Sequence, residues 1–187
     1  MRKLIIYAHP WEGSFNNFVK DEVEKLLNSN GTEIDIIDLY KDGFDPVMNT
    51  ADLSLFSKGE YADKLALEYA ERLKTADELI IIFPIWWYGE PAILKGFYDK
   101  VFLKGHVYEE VDHQLKGLLK AKKATVITTA NINKKIFQYL GDPIQNVLAG
   151  GILKTVGVDE VKWIHCPTVH LEESRNEFLT KIEKHFA

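Results

Sequence analysis

The chain has 187 residues, of which 46% are hydrophobic, and a formal net charge of −5 from 23 Lys and Arg against 28 Asp and Glu. This length suits one hydrophobic core and is short for two, so we predict a single domain over residues 1–187. The acidic balance without a basic cluster argues against a nucleic-acid partner, and no segment reaches the ~20 apolar residues needed for membrane insertion.

Short runs of apolar residues, typical of buried strands, alternate along the chain with segments in which apolar residues recur at helical spacing. The first half predicts, in order, a strand at 3–7, a helix at 16–27, a strand at 33–39, an irregular connection at 40–59, a helix at 61–75 and a strand at 78–83. The second half predicts a helix at 91–102, a strand at 124–129, a helix at 144–154, a strand at 160–165 and a helix at 173–186.

Five apolar strands separated by helices predict parallel pairing through right-handed crossovers. The expected fold class is therefore α/β: a three-layer sandwich in which a five-stranded parallel sheet carries helices on both faces. Ligands of such sheets bind beyond the carboxyl ends of the strands, where the winding direction reverses. Function should therefore lie in the loops AHPWEGSFN, PIWWYGEP and TTANIN, which follow strands one, three and four.

The sequence lacks the motifs of several common kinds of nucleotide-binding and catalytic site. It contains no G-x-G-x-x-G, no G-x-x-x-x-G-K-[ST] and no G-x-S-x-G, and the only cysteine, Cys166, has Glu172 where a small phosphatase needs arginine. A single cysteine permits no intrachain disulfide and favours a cytoplasmic location. Four histidines lack the spacing of metal ligands, so we expect structural or surface roles for them and no metal: His106, His113, His165 and His170.

The first loop has the features of an anion site. Ser14, Phe15 and Asn16 lie at the start of the first helix, where free backbone N–H groups and the helix dipole favour a phosphate or pyrophosphate. His9, at the tip of the strand, could add a donor. The alternative is that Ser14 and Asn16 only cap the helix and that His9 is structural.

The third loop places three aromatic residues, Trp86, Trp87 and Tyr88, beside the predicted anion site. A flat heteroaromatic ring needs apolar cover for its faces and backbone donors for its edge, and this loop offers both. Core packing or a subunit interface is the alternative. The fourth loop, TTAN, is expected to supply two hydroxyls and a small residue on the opposite side of the ring.

The segments AHPWEGSFN, FPIWWYGEPAILKGFYDKVF and TTAN resemble the signatures of the NAD(P)H:quinone oxidoreductase family, whose fold is flavodoxin-like. The resemblance extends over roughly the whole chain. It implies a homodimer and a bound flavin, FAD or alternatively FMN, with NAD(P)H as electron donor. It implies that the flavin pyrophosphate is held by His9, Ser14, Phe15 and Asn16. It also implies that the isoalloxazine ring rests on Pro84, Ile85, Trp86, Trp87, Tyr88, Thr128, Thr129, Ala130 and Asn131.

The sequence departs from the family at the fourth loop. That turn usually reads T-T-G-G, whereas Ala130 and Asn131 stand here, which should narrow the approach to the ring or let Asn131 bond its edge. The family's tyrosine and histidine beyond this turn have no clear equivalents, and Tyr139 is the candidate substitute. Tyr108 falls near the family's substrate-lining segment.

The expected reaction is two-electron transfer from NAD(P)H through the flavin to a quinone, by ping-pong kinetics in one shared pocket. Backbone N–H groups from Trp86 to Tyr88 would stabilise negative charge on the ring, and Trp87 and Tyr88 would line the pocket; no catalytic side chain is assigned. The alternatives are a flavodoxin-like electron carrier, a regulatory flavoprotein such as the partner of a potassium-efflux system, and an azo- or nitroreductase.

Overall fold

A computed structural model describes residues 1–187, the side chain of Lys134 excepted. The strands are β1 (Arg2–Tyr7), β2 (Glu33–Asp38), β3 (Glu78–Pro84), β4 (Tyr108–Val111), β5 (Gln114–Gly117), β6 (Lys123–Thr129) and β7 (Glu160–Cys166). The helices are α1 (Phe15–Ser29), α2 (Thr50–Phe56), α3 (Lys64–Thr75), α4 (Ala92–Val101), α5 (Lys134–Tyr139) and α6 (Glu172–Phe186), and a π-helix (Pro143–Leu153) precedes β7.

Five strands form one parallel sheet in the order β2-β1-β3-β6-β7. Ile5 of β1 lies opposite Ile36 of β2 on one side and Ile80 of β3 on the other. The chain therefore winds in one direction from β1 to β2 and in the other from β1 through β3 to β7, which places the switch point at the carboxyl ends of β1 and β3. The predicted α/β class and five-stranded parallel sheet are confirmed.

Each face of the sheet buries its own apolar cluster, because successive side chains of a strand point to opposite faces. Leu4 and Ile6 belong to the cluster covered by α3, α4 and the π-helix, whereas Ile5 and Tyr7 belong to the cluster covered by α1 and α6. The near-continuous apolar strands follow from this double coverage. None of the described helices combines the length and apolarity required to cross a bilayer.

The connection at 40–59, predicted to be irregular, contains the short helix α2. Asn49 caps it by accepting from the amides of Ala51 and Asp52, and the Asp52 carboxylate accepts from the Asn49 amide in return. The sequence N-T-A-D carries this capping box, which the sparse apolar pattern around it obscures.

The helix predicted at 144–154 is a π-helix, over Pro143–Leu153. Apolar spacing predicts that a helix buries Ile144, Leu148 and Leu153, but it does not distinguish the wider π-turn from the α-turn, since both place these side chains inward. The β4–β5 hairpin has no counterpart among the predicted elements. Its turn holds Asp112 and His113 at φ values of 51° and 61°, in place of the Asn-Gly that signals such turns.

Candidate cofactor site

The loop after β1 ends in a capped helix terminus with open backbone donors. Ser14 is the N-cap of α1, and its Oγ accepts from the Asn17 amide at 3.1 Å. The amides of Phe15 and Asn16 donate to no protein group in the described part of the chain. Together with the positive end of the helix dipole, these two donors form a site suited to a phosphate.

His9 is held in one tautomer beside this terminus. The Trp11 amide donates to His9 Nδ1 at 3.1 Å, so the neutral ring carries its proton on Nε2 and presents a donor there. Burial lowers the pKa of His9, which keeps the ring neutral at pH 7. Its centroid lies 6.1 Å from the Trp86 ring, so the first and third loops meet at these two side chains.

Asn16 joins the first loop to the fourth. Its Nδ2 donates to Thr129 Oγ1 at 2.9 Å, while its buried Oδ1 has no partner among the described residues. The hydroxyl can donate or accept, so exchanging the amide oxygen and nitrogen preserves the bond and leaves Nδ2 unpaired instead. In either orientation one polar atom of Asn16 is left over, which fits a ligand such as the ribityl–phosphate portion of a flavin.

The segment 86–89, called here the aromatic turn, is a type I′ turn. Trp86 and Gly89 exchange backbone hydrogen bonds of 3.0 and 3.2 Å, and the two central residues, Trp87 and Tyr88, have φ values of 50° and 70°. Trp87 is 94% exposed. The turn therefore projects an indole ring into solvent from a backbone conformation that glycine usually occupies.

The amides of the aromatic turn differ in availability. The Trp86 amide is used within the turn, which corrects the expectation that all three amides from Trp86 to Tyr88 face a ligand. The amides of Trp87 and Tyr88 donate to no group within the described chain. Two backbone donors are thus open next to the exposed rings.

The threonine hydroxyls of the fourth loop bond within the protein. Trp163 Nε1 donates to Thr128 Oγ1 at 2.8 Å, so the Thr128 proton is available to His165 Nδ1, also at 2.8 Å. With Nδ1 accepting, His165 donates from Nε2 to the Ile132 carbonyl at 2.9 Å. Thr129 bonds Asn16, as above. Both hydroxyls therefore have partners within the protein: Thr128 positions the loop against β7, and Thr129 joins the loop to α1.

The remaining residues of the third and fourth loops are joined by backbone hydrogen bonds at the ends of the strands, and this surface is called here the floor of the site. Pro84 pairs in register with Thr129, and the Ile85 amide donates to the Thr129 carbonyl at 2.9 Å. The Ala130 amide donates to the Cys166 carbonyl at 3.0 Å. Asn131 lies at the exposed edge, where its Oδ1 is 2.7 Å from His170 Nδ1. His170 therefore has a partner that spacing alone did not reveal.

Tyr108 and Tyr139 lie apart from this floor. Tyr108 lines a separate cavity of about 370 Å³ between α4 and the π-helix, with Tyr98 and Val147 among the other lining residues. Tyr139 is exposed at the end of α5. Within the described residues, no three His, Cys, Asp or Glu side chains are grouped as ligands of a metal ion.

Three further residues shape the site, although the sequence predicts no cofactor-binding role for them. Trp163 and His165 are consecutive same-face positions of β7, and they reach the fourth loop only because β7 pairs with β6. Tyr7 lies beneath the first turn of α1, in what looks in sequence like an ordinary apolar run. None of these residues has a motif that marks it.

Known proteins of similar sequence and fold identify the family. Residues 1–186 match a family described by its flavodoxin-like fold. An uncharacterized NAD(P)H oxidoreductase of Haemophilus influenzae is 28% identical over 178 residues, which are 94% of this chain and 88% of that protein. NAD(P)H dehydrogenase [quinone] 1 of Cavia porcellus is 33% identical over 156 residues, 75% of this chain but only 57% of the relative, so this chain matches little more than half of it.

A solved structure of similar shape is the NAD(P)H:quinone oxidoreductase from Methanothermobacter marburgensis. Its TM-score is 0.90 at 25% identity, covering 100% of this chain and 97% of that one. The family resemblance predicted from the three loops is confirmed. The chain therefore belongs to the flavodoxin-like family that includes NAD(P)H:quinone oxidoreductases.

Proposed function

We propose that the protein is a flavin-dependent NAD(P)H:quinone oxidoreductase. The observation that carries this proposal is the aromatic turn, in which two bulky residues, Trp87 and Tyr88, adopt left-handed backbone conformations with open amides. A left-handed conformation costs a residue with a side chain about 1–2 kcal/mol. The protein itself offsets little of that cost at Trp87, whose side chain is almost fully exposed.

A ligand that packs on the rings and accepts from the two amides would offset this strain. The isoalloxazine ring of a flavin has both features: apolar faces, and an edge of carbonyl oxygens and ring nitrogens. The neighbouring loop suits the other end of the same molecule. His9 Nε2, the Ser14 hydroxyl and the amides of Phe15 and Asn16 are donors for its phosphate.

A flavin held by these residues would supply the redox chemistry for transfer of an electron pair from NAD(P)H to a quinone. The Trp87 and Tyr88 amides stabilise negative charge at the ring edge without having to reorient, since the turn already holds them in place. The exposed indole of Trp87 provides a wall against which flat substrates stack. One such open face serves the donor and the acceptor in turn, which favours ping-pong kinetics.

The family resemblance favours FAD over FMN, and the loop between β1 and α1 suits the phosphate of either. Release of the cofactor from the purified protein by denaturation, followed by chromatographic identification and stoichiometry per chain, tests the proposal directly. We expect one flavin per chain, or uptake of one added FAD or FMN. A colourless protein that takes up neither would contradict the assignment.

Turnover distinguishes an enzyme from an electron carrier. We expect steady oxidation of NADH or NADPH with menadione as acceptor, and parallel double-reciprocal plots when both concentrations are varied. A protein that binds flavin but shows no sustained NAD(P)H oxidation would instead support the carrier alternative. An azo dye tested as a second acceptor measures how far the same pocket serves azoreductase chemistry.

We further propose that the enzyme is a homodimer, and the single, buried cysteine favours a cytoplasmic location for it. The apolar cavity between α4 and the π-helix supports the dimer, because apolar residues such as Val147 and Phe102 line it on one face of the molecule. Apolar surface of this kind is typical of the centre of a subunit interface.

A further inference from the structure

His170 and Asn131 form a side-chain contact at the edge of the candidate cofactor site. His170 Nδ1 lies 2.7 Å from Asn131 Oδ1, across 39 positions of the sequence. Asn131 belongs to the loop that follows β6 and His170 to the loop that follows β7, so the contact joins two neighbouring strand ends at the carboxyl edge of the sheet. The related family usually has glycine where Asn131 stands, so the family's usual turn cannot form this contact.

Backbone hydrogen bonds already hold these two loops together. The Val169 amide donates to the Ala130 carbonyl at 3.0 Å, and the Ala130 amide donates to the Cys166 carbonyl at 3.0 Å. Val169 and Ala130 directly precede His170 and Asn131, so the backbone brings the pair together and the side-chain contact orders little additional chain. Since the loops do not depend on the side-chain contact, that contact is available for another role.

The donor of the contact follows from the chemistry of the two groups. A carboxamide oxygen only accepts, so His170 Nδ1 carries the proton and donates. The two N–H groups on Asn131 Nδ2, like the Asn131 backbone amide, then have no partner among the described residues. The oxygen and nitrogen of a carboxamide point in different directions from its planar carbon. Bonding the oxygen to His170 therefore turns the nitrogen away from the loop after β7.

We propose that His170 is a positioning residue of the cofactor site, which fixes the Asn131 carboxamide so that Nδ2 donates to a carbonyl oxygen at the edge of the flavin ring. The inference rests on the proposed function and deepens it at the same site. Asn131 ends the floor of the site, in which the Thr129 carbonyl accepts from the Ile85 amide beside the aromatic turn. A ring that lies on this floor meets Asn131 Nδ2 at its edge, and His170 acts only through Asn131.

The positioned amide should favour the reduced form of the flavin. Reduction adds negative charge to the ring edge, and a donor that is already in place stabilises that charge without reorienting. A ring over Asn131 also excludes water, and the lower dielectric strengthens the bond. Loss of the donor should therefore weaken the binding of reduced flavin more than that of oxidised flavin.

A reversed carboxamide is the competing arrangement. With Nδ2 donating to His170, Asn131 Oδ1 would face the ligand and could accept only from an N–H of the ring. A contact that only joins the loops is the other alternative. Asn131→Asp separates all three, because a carboxylate still accepts from His170 but presents an acceptor, in place of a donor, to the ligand.

The experiment measures two quantities for each protein. Fluorescence titration gives the dissociation constant of oxidised FMN, and anaerobic titration with a reference dye gives the midpoint potential of bound FMN; together they give the constant for reduced FMN. We expect Asn131→Asp to weaken oxidised FMN about tenfold and reduced FMN about a hundredfold, since a donor is lost and a negative charge is added. That tenfold difference corresponds to a potential lower by about 30 mV.

Asn133→Asp is the matched control for the added charge. It places the same carboxylate two residues further along the same loop, but the Asn133 side chain caps α5 by accepting from the Lys135 amide at 2.7 Å, and aspartate caps equally well. We expect both constants to stay within about twofold of the wild-type values. Equal effects of the two aspartate variants would overturn the proposal, because they would show a general effect of charge.

Two substitutions test His170 itself. Asparagine carries an N–H at the same distance from the backbone as His170 Nδ1, so His170→Asn should retain FMN binding, whereas His170→Leu should weaken reduced FMN about three- to tenfold. In an Asn131→Gly background, His170→Leu should have no further effect. Additive losses, equal effects of the two His170 variants, or unchanged FMN binding in Asn131→Asp would overturn the proposal.

The proposed function can fail separately. If the wild-type protein takes up neither FMN nor FAD, the oxidoreductase assignment is rejected, and the role of His170 with it. If the wild-type protein binds FMN and Asn131→Asp binds both forms of FMN equally well, only the positioning role is rejected. Melting temperatures of the ligand-free variants should remain close to that of the wild-type protein, because the backbone bonds between the loops are unchanged.

Discussion

Trp87 and Tyr88 show how single residues at the carboxyl edge of the sheet are held in conformations that their types disfavour. Their positive φ values follow from the two hydrogen bonds between Trp86 and Gly89, which close a type I′ turn. The turn leaves the amides of both residues without a partner among the described residues. In the proposed function, this one turn accounts for both the backbone strain and the binding of the flavin.

We predict that Trp87→Gly is more stable than Trp87→Ala by about 1 kcal/mol. At ordinary exposed positions alanine is the more stable of the two by roughly 0.5–1 kcal/mol, but a left-handed conformation penalises the alanine Cβ. Urea unfolding of both ligand-free variants measures the difference. Both variants lose the indole, so both should retain flavin more weakly than the wild-type protein.

The comparison carries its own control, because the two variants remove the same side chain and differ only in the Cβ. Greater stability of the alanine variant would show that residue 87 does not occupy the left-handed region in solution. Unchanged flavin content and turnover in both variants would show that the indole takes no part in the site.

His9 should make stability depend on pH. Its pKa in the folded protein is lowered from 6.5 by burial, so the unfolded chain binds more protons in the range between the folded value and 6.5. Stability should therefore fall as the pH drops below about 6.5 and level off below the folded pKa. His9→Gln should flatten that part of the curve of melting temperature against pH.

His185 provides the comparison for this measurement. Burial lowers its pKa also, and it lies away from the loops, 2.8 Å from Thr125 Oγ1. His185→Gln should flatten the curve in a similar range without changing the affinity for FMN. An unaltered pH profile in His9→Gln would mean that His9 is not buried as described.

At the scale of elements, a buried lysine explains how the irregular connection before α3 is ordered. Lys100 of α4 is 3% exposed at its side chain, and its Nζ bonds Asp63 Oδ2 at 2.9 Å and the Asp45 carbonyl at 3.0 Å. Asp63 is also the N-cap of α3. One ammonium thus joins the connection, the start of α3 and the helix that follows the aromatic turn.

We predict that Lys100→Met lowers the free energy of unfolding by about 2–4 kcal/mol, because Asp63 loses its partner in a partly buried position. Asp63→Asn in the Lys100→Met background should recover part of the loss, since asparagine caps a helix as well and carries no charge. Chemical denaturation of the two single variants and the double variant measures the coupling. Additive effects would show that the two side chains do not interact.

The spacing of apolar residues predicts the long elements of this fold but not the short, exposed ones. Long amphipathic segments such as α1 and α6 and the apolar strands lie within a few residues of the predicted ranges, because burial of one stripe or both faces dominates their sequences. The β4–β5 hairpin and α5 are short and mostly exposed. Their conformation depends on turns and caps, for which the apolar pattern carries no signal.

At the scale of the whole molecule, one side of the protein carries an apolar cavity that no other part of the described chain covers. The cavity between α4 and the π-helix is open and apolar, and Val147 at its rim is 57% exposed. A second copy of the chain would remove this surface from water, in keeping with the proposed homodimer.

We predict that Val147→Lys dissociates the dimer, because an interface core excludes an unpaired charge. Sedimentation equilibrium measures the mass of the wild-type protein and the variant. Leu171→Lys is the control, since Leu171 is similarly exposed but lies at the start of α6, against the other face of the sheet. A monomeric wild-type protein, or equal masses for all three proteins, would contradict the proposal.

The fold class, the succession of helices and strands along the chain and the family can all be read from the sequence, because apolar strands and the F-P-I-W-W-Y-G-E-P-A-I-L-K-G segment are local patterns. The sequence also located the loops that meet at the switch point. What it could not determine is which polar atoms in those loops remain available. Thr128 and Thr129 look equivalent in sequence, yet one bonds Trp163 and His165 and the other bonds Asn16.

The partners of the two threonines become apparent only in the folded protein, because they come from strands and helices far apart in the chain. The Trp86 amide differs, because its partner is the nearby Gly89 carbonyl, in a turn whose central residues are not the Asn-Gly that would predict it. Side-chain chemistry is local, but hydrogen-bond satisfaction is a property of the packed molecule.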